Sequence, residues 1–135
     1  MELERTLRVL EFPKILERLA SYAMTDSGKA CCRTLVPSAD EPLVRRSLDE
    51  TEEAVVLLTY LGSNPLIGFS DVTEYITIAK KGACLSPRAL MDIALLLRAA
   101  RSARASLCKD RENTPLLIAQ ASRLTVLENV ESDIN

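Results

Sequence analysis

Histidine and tryptophan are absent, and glycine occurs only four times, at positions 28, 62, 68 and 82. Without histidine the chain lacks the commonest general base, any Ser/His triad and every His-containing metal site. Aromatic residues are 4% of the chain, too few for base-stacking platforms or aromatic cages. The glycines fall in neither G-x-x-x-x-G-K-[ST] nor G-x-G-x-x-G. Gly28-Lys29 is an isolated pair inside a helical pattern, so it reads poorly as a phosphate site. H-E-x-x-H and G-x-S-x-G are also missing. There is no basic excess: 17 Lys and Arg against 19 Asp and Glu give a net charge of −2, unlike a dedicated nucleic-acid binder. No run approaches the ~20 apolar residues of a bilayer-spanning helix. Met1-Glu2-Leu3-Glu4-Arg5 lacks the basic and apolar regions of a signal peptide.

The four cysteines, Cys31, Cys32, Cys84 and Cys108, show no C-x-x-C spacing. On one helix Cys31 and Cys32 diverge by about 100°, which suits free thiols in a reducing, cytoplasmic setting better than a shared metal. Metal ligands and catalytic residues are therefore not assigned. The acidic pairs Asp49-Glu50 and Glu52-Glu53 read as the solvated face of an amphipathic helix rather than as carboxylates sharing a cleft.

At 135 residues, 47% hydrophobic and 27% charged, the chain has the size and composition of one globular domain, residues 1–135. Apolar residues recur at helical spacing between capping, Pro and Gly signals, predicting an all-α, irregular multi-helix bundle. A short helix over 3–10 precedes one from Phe12, with Pro13 in its first turn and Ile15, Leu16, Leu19, Ala20 and Ala23 on its apolar face. Thr25 caps a helix to about Leu35, stopped by Pro37. Gly28 inside it suggests a close helix–helix approach. Asp40 caps a long helix with an apolar line of Leu43, Val44, Leu48, Thr51, Val55, Leu58 and Leu61, closed by Gly62. After a loop over 63–69, Asp71 and Glu74 resemble a capping box for a helix that faces Val72, Tyr75, Ile76 and Ala79 inward and ends at Gly82. Ser86 and Pro87 open the clearest helix, running to Leu107, whose buried stripe is Leu90, Ile93, Ala94, Leu97, Ala100 and the stretch from Ala103 to Leu107. A short helix over 116–123 follows Asn113-Thr114-Pro115. Thr125 and Glu128 suggest a capping box for a last helix, which reaches Asn135 with no terminating signal and so looks cut from a longer chain.

One basic feature rises above background. Arg98, Arg101 and Arg104 recur every three residues, followed by Lys109 and Arg111. Three-residue steps keep neighbouring guanidinium groups on adjoining parts of a helix surface, making Arg98, Arg101 and Arg104 candidate nucleic-acid contacts. The competing reading is a solvated face, with the acidic run Glu128, Glu131 and Asp133 folded back onto it.

Order along the chain carries more than composition. The run Thr6-Leu7-Arg8-Val9-Leu10-Glu11-Phe12 is followed by Lys14-Ile15-Leu16-Glu17, Leu19-Ala20, Thr25, Gly28-Lys29, Leu35, Pro37, Asp40, Leu48, Glu50-Thr51 and Glu53-Ala54. Gly68, Asp71-Val72, Ala79, Lys81-Gly82 and Leu85-Ser86-Pro87 continue the pattern. In this order the chain resembles the N-terminal region of the second bacterial MutS-like subfamily, the paralogue outside mismatch repair. The resemblance implies a helical core and lever region of a large homodimeric ATPase. It also implies ATP and Mg bound elsewhere in the parent, a clamp, in many members a small MutS-related nuclease domain, and DNA or a collided ribosome as target. It implies a scaffold role for this segment, in contact with the rest of the parent chain and with no membrane. None of the family's ATP-binding, clamp or nuclease residues transfers onto these positions. The alternative is a free-standing helical adaptor that binds a protein partner.

Overall fold

A computed structural model describes residues 2–110 and 112–134. Its described residues form eight α-helices and no strand, an all-α fold. The chain divides into two compact units, Met1–Pro37 and Ser38–Asn135.

The first unit holds α1 (Glu2–Val9), α2 (Phe12–Ser21) and α3 (Asp26–Arg33). Pro13 sits in the first turn of α2, where its missing N–H costs nothing. The residue before α2, Glu11, takes φ 55°, a left-handed conformation that ordinarily disfavours side chains. Thr25 caps α3 as its sequence predicts, its Oγ1 accepting from the Gly28 N–H at 3.1 Å. That cap also explains Gly28. A Cβ there would lie 3.0 Å from Thr25 Oγ1 and 3.4 Å from Ala23 Cβ. The glycine thus clears its own cap and the preceding turn, and no neighbouring helix lies among these nearest atoms. Arg33 reaches back to Glu17 with Nε–Oε1 at 2.8 Å and Nη2–Oε2 at 3.1 Å, tying α3 to α2. Of the anticipated α2 face, Ala20 is buried while Ile15 and Leu19 remain exposed.

The second unit contains α4 (Glu41–Leu61), α5 (Thr73–Lys80), α6 (Pro87–Leu107), α7 (Pro115–Ala121) and α8 (Glu128–Ile134). Both long helices start where their signals stand: Asp40 Oδ1 accepts from Leu43 N at 3.2 Å, and Ser86 Oγ accepts from Ala89 N at 3.2 Å. Gly62 closes α4 at φ 72°, and Gly82 follows α5 at φ 78°, backbone states where only glycine is unstrained. α5 begins two residues after the anticipated position. Asp71 Oδ1 takes both the N–H (2.9 Å) and the hydroxyl (2.6 Å) of Thr73, forming an Asx turn that delays the helix instead of capping it. Of the anticipated inward face, Val72, which immediately precedes α5, is buried and Tyr75 half-buried, while Ile76 and Ala79 are exposed. α8 begins at Glu128, with Glu131 N bonded to Leu127 O at 3.0 Å, so Thr125 and Glu128 do not form the expected box.

Packing in this unit runs α4 on α7, α7 on α6, and α6 on α8. The face of α4 that packs is not the one its apolar line suggests. Leu57 is buried, with Glu50, Glu53 and Ala54 half-buried, whereas Leu43, Val44, Leu48, Val55 and Leu58 are exposed. The helix has two faces able to be covered, and the chemistry of α7 selects one. Thr114, at the start of α7, makes no side-chain cap; its buried hydroxyl donates to Asp110 O at 2.6 Å. The open N–H of Leu117 is met instead by Glu53 Oε2 of α4 at 2.9 Å. A carboxylate there satisfies an orphan donor and opposes the positive end of the helix dipole. On α6 the buried residues are Ala89, Ala94 and Ala99, with Leu90, Ile93 and Leu97 half-buried: small side chains let neighbours approach closely.

Glu53→Ala should cost about 1 kcal/mol, the loss of a helix cap. Leu57→Ala, which removes the one fully packed apolar side chain on α4, should cost about 2–5 kcal/mol. Denaturant titrations of the two variants against the parent chain measure both, and equal midpoints for all three would contradict this account of the α4–α7 contact.

Candidate functional site

The arginine stripe lies on the second half of α6, facing α8. Arg101 grips Glu131 with two parallel bonds, Nε to Oε2 and Nη2 to Oε1, each 2.9 Å. Arg98 Nε stands 3.6 Å from the same Oε1. The Glu131 side chain is 9% accessible, while Arg98 and Arg101 keep 54% and 45% of theirs. Arg104 turns elsewhere, donating from Nη1 to the Leu124 carbonyl at 3.2 Å, before α8 begins. Three-residue spacing places Arg98 and Arg101 where both reach one carboxylate, and planar guanidinium suits it to a bidentate grip. Glu128 and Ser132 border the cleft beside this pair. Lys109 is exposed, and Arg111 lies outside the described residues.

The electrostatics follow from this geometry. Hydrogen bonding to Arg101 holds the Glu131 carboxyl below its ordinary pKa; partial burial opposes the shift, and the Arg101 charge and Arg98 add to it. The folding back of the acidic run onto the stripe, one of two readings of the sequence, is realised through Glu131. A second cleft, about 390 Å³, is lined by Met91, Leu95, Ile134, Arg88, Asp92, Ala94 and Arg98. Asp92 there accepts from the Tyr75 hydroxyl at 3.3 Å, linking α5 to α6.

Other sequence candidates are scattered. Gly28 and Lys29 sit within α3; the Gly28 amide is committed to Thr25, and Lys29 Nζ lies 3.5 Å from Asp26. An amide already spent on a cap and a lysine beside a carboxylate do not fit a nucleotide phosphate. The cysteines are four free thiols, Cys31 and Cys84 exposed, Cys32 and Cys108 half-buried. Among the described residues no three His, Cys, Asp or Glu side chains gather as a metal site, and no helix is long and apolar enough to cross a membrane. Sequence reading missed Glu53, placed on a solvated face. No sequence signal marks it: Thr114-Pro115 reads as a normally capped helix start, and only the structure shows that Thr114 makes no side-chain cap.

Comparison with known proteins assigns the chain. No family model matches it. It is 39% identical over 134 residues to a protein named Endonuclease MutS2 from Clostridium perfringens (strain SM101), covering 98% of this chain and 17% of that protein. A protein of the same name from Bacillus cereus (strain Q1) is 33% identical over 135 residues, again 98% and 17%. One from Clostridium beijerinckii is 41% identical over 99 residues, 73% and 13%. The chain is MutS2-like. It spans 13–17% of the length of these curated relatives. The arginine stripe and its glutamate are thus features of a MutS2-like segment whose stripe is largely occupied by its own last helix.

Two outcomes test the site. Glu131's pairing stabilises the docked helix above the ordinary glutamate pKa and is lost as pH falls through its depressed folded value. Protection of α8 amides, corrected for intrinsic exchange rate, should therefore fall on acidification, and in Glu131→Gln should be low and insensitive to pH. The second outcome concerns DNA. Three phosphate contacts would give a log–log salt slope of about −2.7 on duplex DNA. Because the arginines are already engaged, replacing Arg98, Arg101 and Arg104 together by Gln should leave duplex binding unchanged. A titration at two salt concentrations in which the triple variant abolishes binding would contradict this.

Proposed function

We propose that this chain serves as a helical scaffold segment of a MutS2-like ATPase, carrying nucleotide state between an ATPase domain and a clamp. The observation that carries the reading is the match itself: MutS2-named relatives align with up to 98% of the chain, yet it spans no more than 17% of them. In this reading the segment begins the core and lever region at the N-terminal end of the parent. ATP and Mg bind elsewhere in the parent, which is a cytoplasmic homodimer. Its target is branched DNA or a collided ribosome, with roles in restraining recombination and in ribosome rescue, and an endonuclease domain where one is present. Catalysis does not belong to the segment. Its contribution is mechanical, because packed rigid helices can pass a displacement from one contact to the next.

Composition and exposure support a scaffold. Among the described residues eight apolar side chains are buried, against twenty-three large apolar ones exposed. Where such residues adjoin, as Val44, Leu48, Val55 and Leu58 do along one line of α4, the contiguous exposed apolar surface is of the kind that marks interaction faces.

The first test is the gene itself: a phosphate-binding Gly-rich loop should be encoded downstream of Asn135, and a stop codon at that point would overturn the reading. The second test uses the full-length protein. Loosening the α4–α7 contact with Glu53→Ala and Leu57→Ala together should reduce stimulation of ATP hydrolysis by DNA or ribosomes several-fold, while basal hydrolysis persists. Unchanged stimulation would remove the transmitting role.

A further inference from the structure

α8 is docked by its charge. It carries Glu128, Glu131 and Asp133 and no base, while residues 98–109 opposite carry Arg98, Arg101, Arg104 and Lys109 and no acid. Among the described residues of α8 the buried side chain is Glu131, 7% exposed. Val130 is 44% exposed, Leu127 just before the helix 47%, and Ile134 half-buried. An amphipathic helix docks the other way round, with its apolar residues inward. At seven residues α8 is also too short to persist alone. The arginines beneath it stand on firmer ground: α6 is 21 residues long and packs on α7 as well. Undocking α8 therefore leaves Arg98 and Arg101 in place, about 4.5 Å apart along the helix axis, with no carboxylate among residues 98–109 to quench them.

The bound carboxylate indicates the ligand. Arg101 holds Glu131 through two parallel bonds of 2.9 Å, and Arg98 Nε stands 3.6 Å from the same Oε1. One anion between two guanidinium groups is the arrangement in which arginine takes a phosphate. A carboxylate from an acidic peptide has the same shape, and counterions separate the two. Duplex nucleic acid sheds condensed cations when an arginine meets its backbone, a gain that sequence-independent contacts depend on. A flexible acidic peptide has no such atmosphere to release and loses backbone freedom on docking. While α8 is docked, its tether keeps Glu131 at an effective concentration in about the millimolar range, and two phosphate contacts are too few to displace it.

We propose that Arg98 and Arg101 form a site for the phosphodiester backbone of duplex nucleic acid that α8 holds closed, the Glu131 carboxylate standing where a phosphate would bind. The site depends on the α6–α8 contact alone, so its failure would leave the scaffold reading untouched. Two changes open it in the 135-residue chain: Glu131→Gln, and termination after Leu127, which removes α8 altogether. Fluorescence anisotropy with short labelled DNA and RNA duplexes reads the result. Both open chains should bind either duplex about ten-fold more tightly than the parent chain, with a log–log salt slope steeper by about 1.8 for two added contacts. Adding Arg98→Gln and Arg101→Gln to each open chain should abolish the gain. A synthetic peptide of residues 128–134, matched to the duplex in total anionic charge, should leave the duplex bound. Thermal melts and exchange protection of the α6 amides check that the rest of the fold is retained, and the truncated chain reads the site without relying on the Gln variant. No gain in the folded open chains, a gain that survives loss of both arginines, a gain with one kind of duplex only, or displacement by the acidic peptide would each overturn the proposal.

Discussion

A helix that cannot cap itself organises the second unit. α7 is seven residues long and starts on Thr114-Pro115; the Thr114 oxygen accepts from no first-turn amide, its hydroxyl donates to Asp110 O, and the proline has no N–H. Its open amide finds an acceptor 64 positions earlier in the chain, the Glu53 carboxylate of α4. A short isolated helix is marginal in water, so α7 depends on such tertiary support. Once α4 is committed to α7 through Glu53 and Leu57, its remaining apolar line is left outward. α7 in turn packs on α6, and α6 receives α8.

The two polar anchors differ in kind. Glu53 meets a backbone amide, a single acceptor for a single donor. Glu131 meets two guanidinium groups in a nearly buried position, and its depressed pKa reflects that company. Positive charge on α6 is thereby consumed internally, which accounts for three regularly spaced arginines in a chain of net charge −2. An arginine stripe read from spacing alone suggests phosphate; the same stripe beside an acidic helix is a lock for that helix.

The pattern of exposure suits a piece of a larger machine better than a finished surface. Alanines make up much of the buried set, while leucines and valines crowd the exposed one. Ala-lined contacts bring helix axes close but bury little area per residue, so they fix geometry more than they supply stability. The chain spans about one sixth of the length of the MutS2-named relatives it matches.

Local chemistry was legible in the sequence wherever a residue acts on its own neighbours. Thr25, Asp40 and Ser86 cap the helices they precede, Pro13 and Pro87 occupy first turns, and Gly62 and Gly82 take the left-handed backbone at helix ends. These follow from spacing of one to four residues and need no tertiary information, and so the all-α class and most helix boundaries were determined by the sequence itself. Asp71 serves a turn where its spacing suggests a cap, because a side-chain oxygen close to a helix start can do either, and Thr125 stands too far before α8, which begins at Glu128, to cap it. Tertiary structure decided which apolar face of α4 is buried, that Glu53 is an anchor and that the arginine stripe is engaged by Glu131. Each of these depends on a partner 30 to 64 residues away. Periodicity shows that a face can be buried, but the choice between two such faces rests on which neighbour offers an unmet donor or charge.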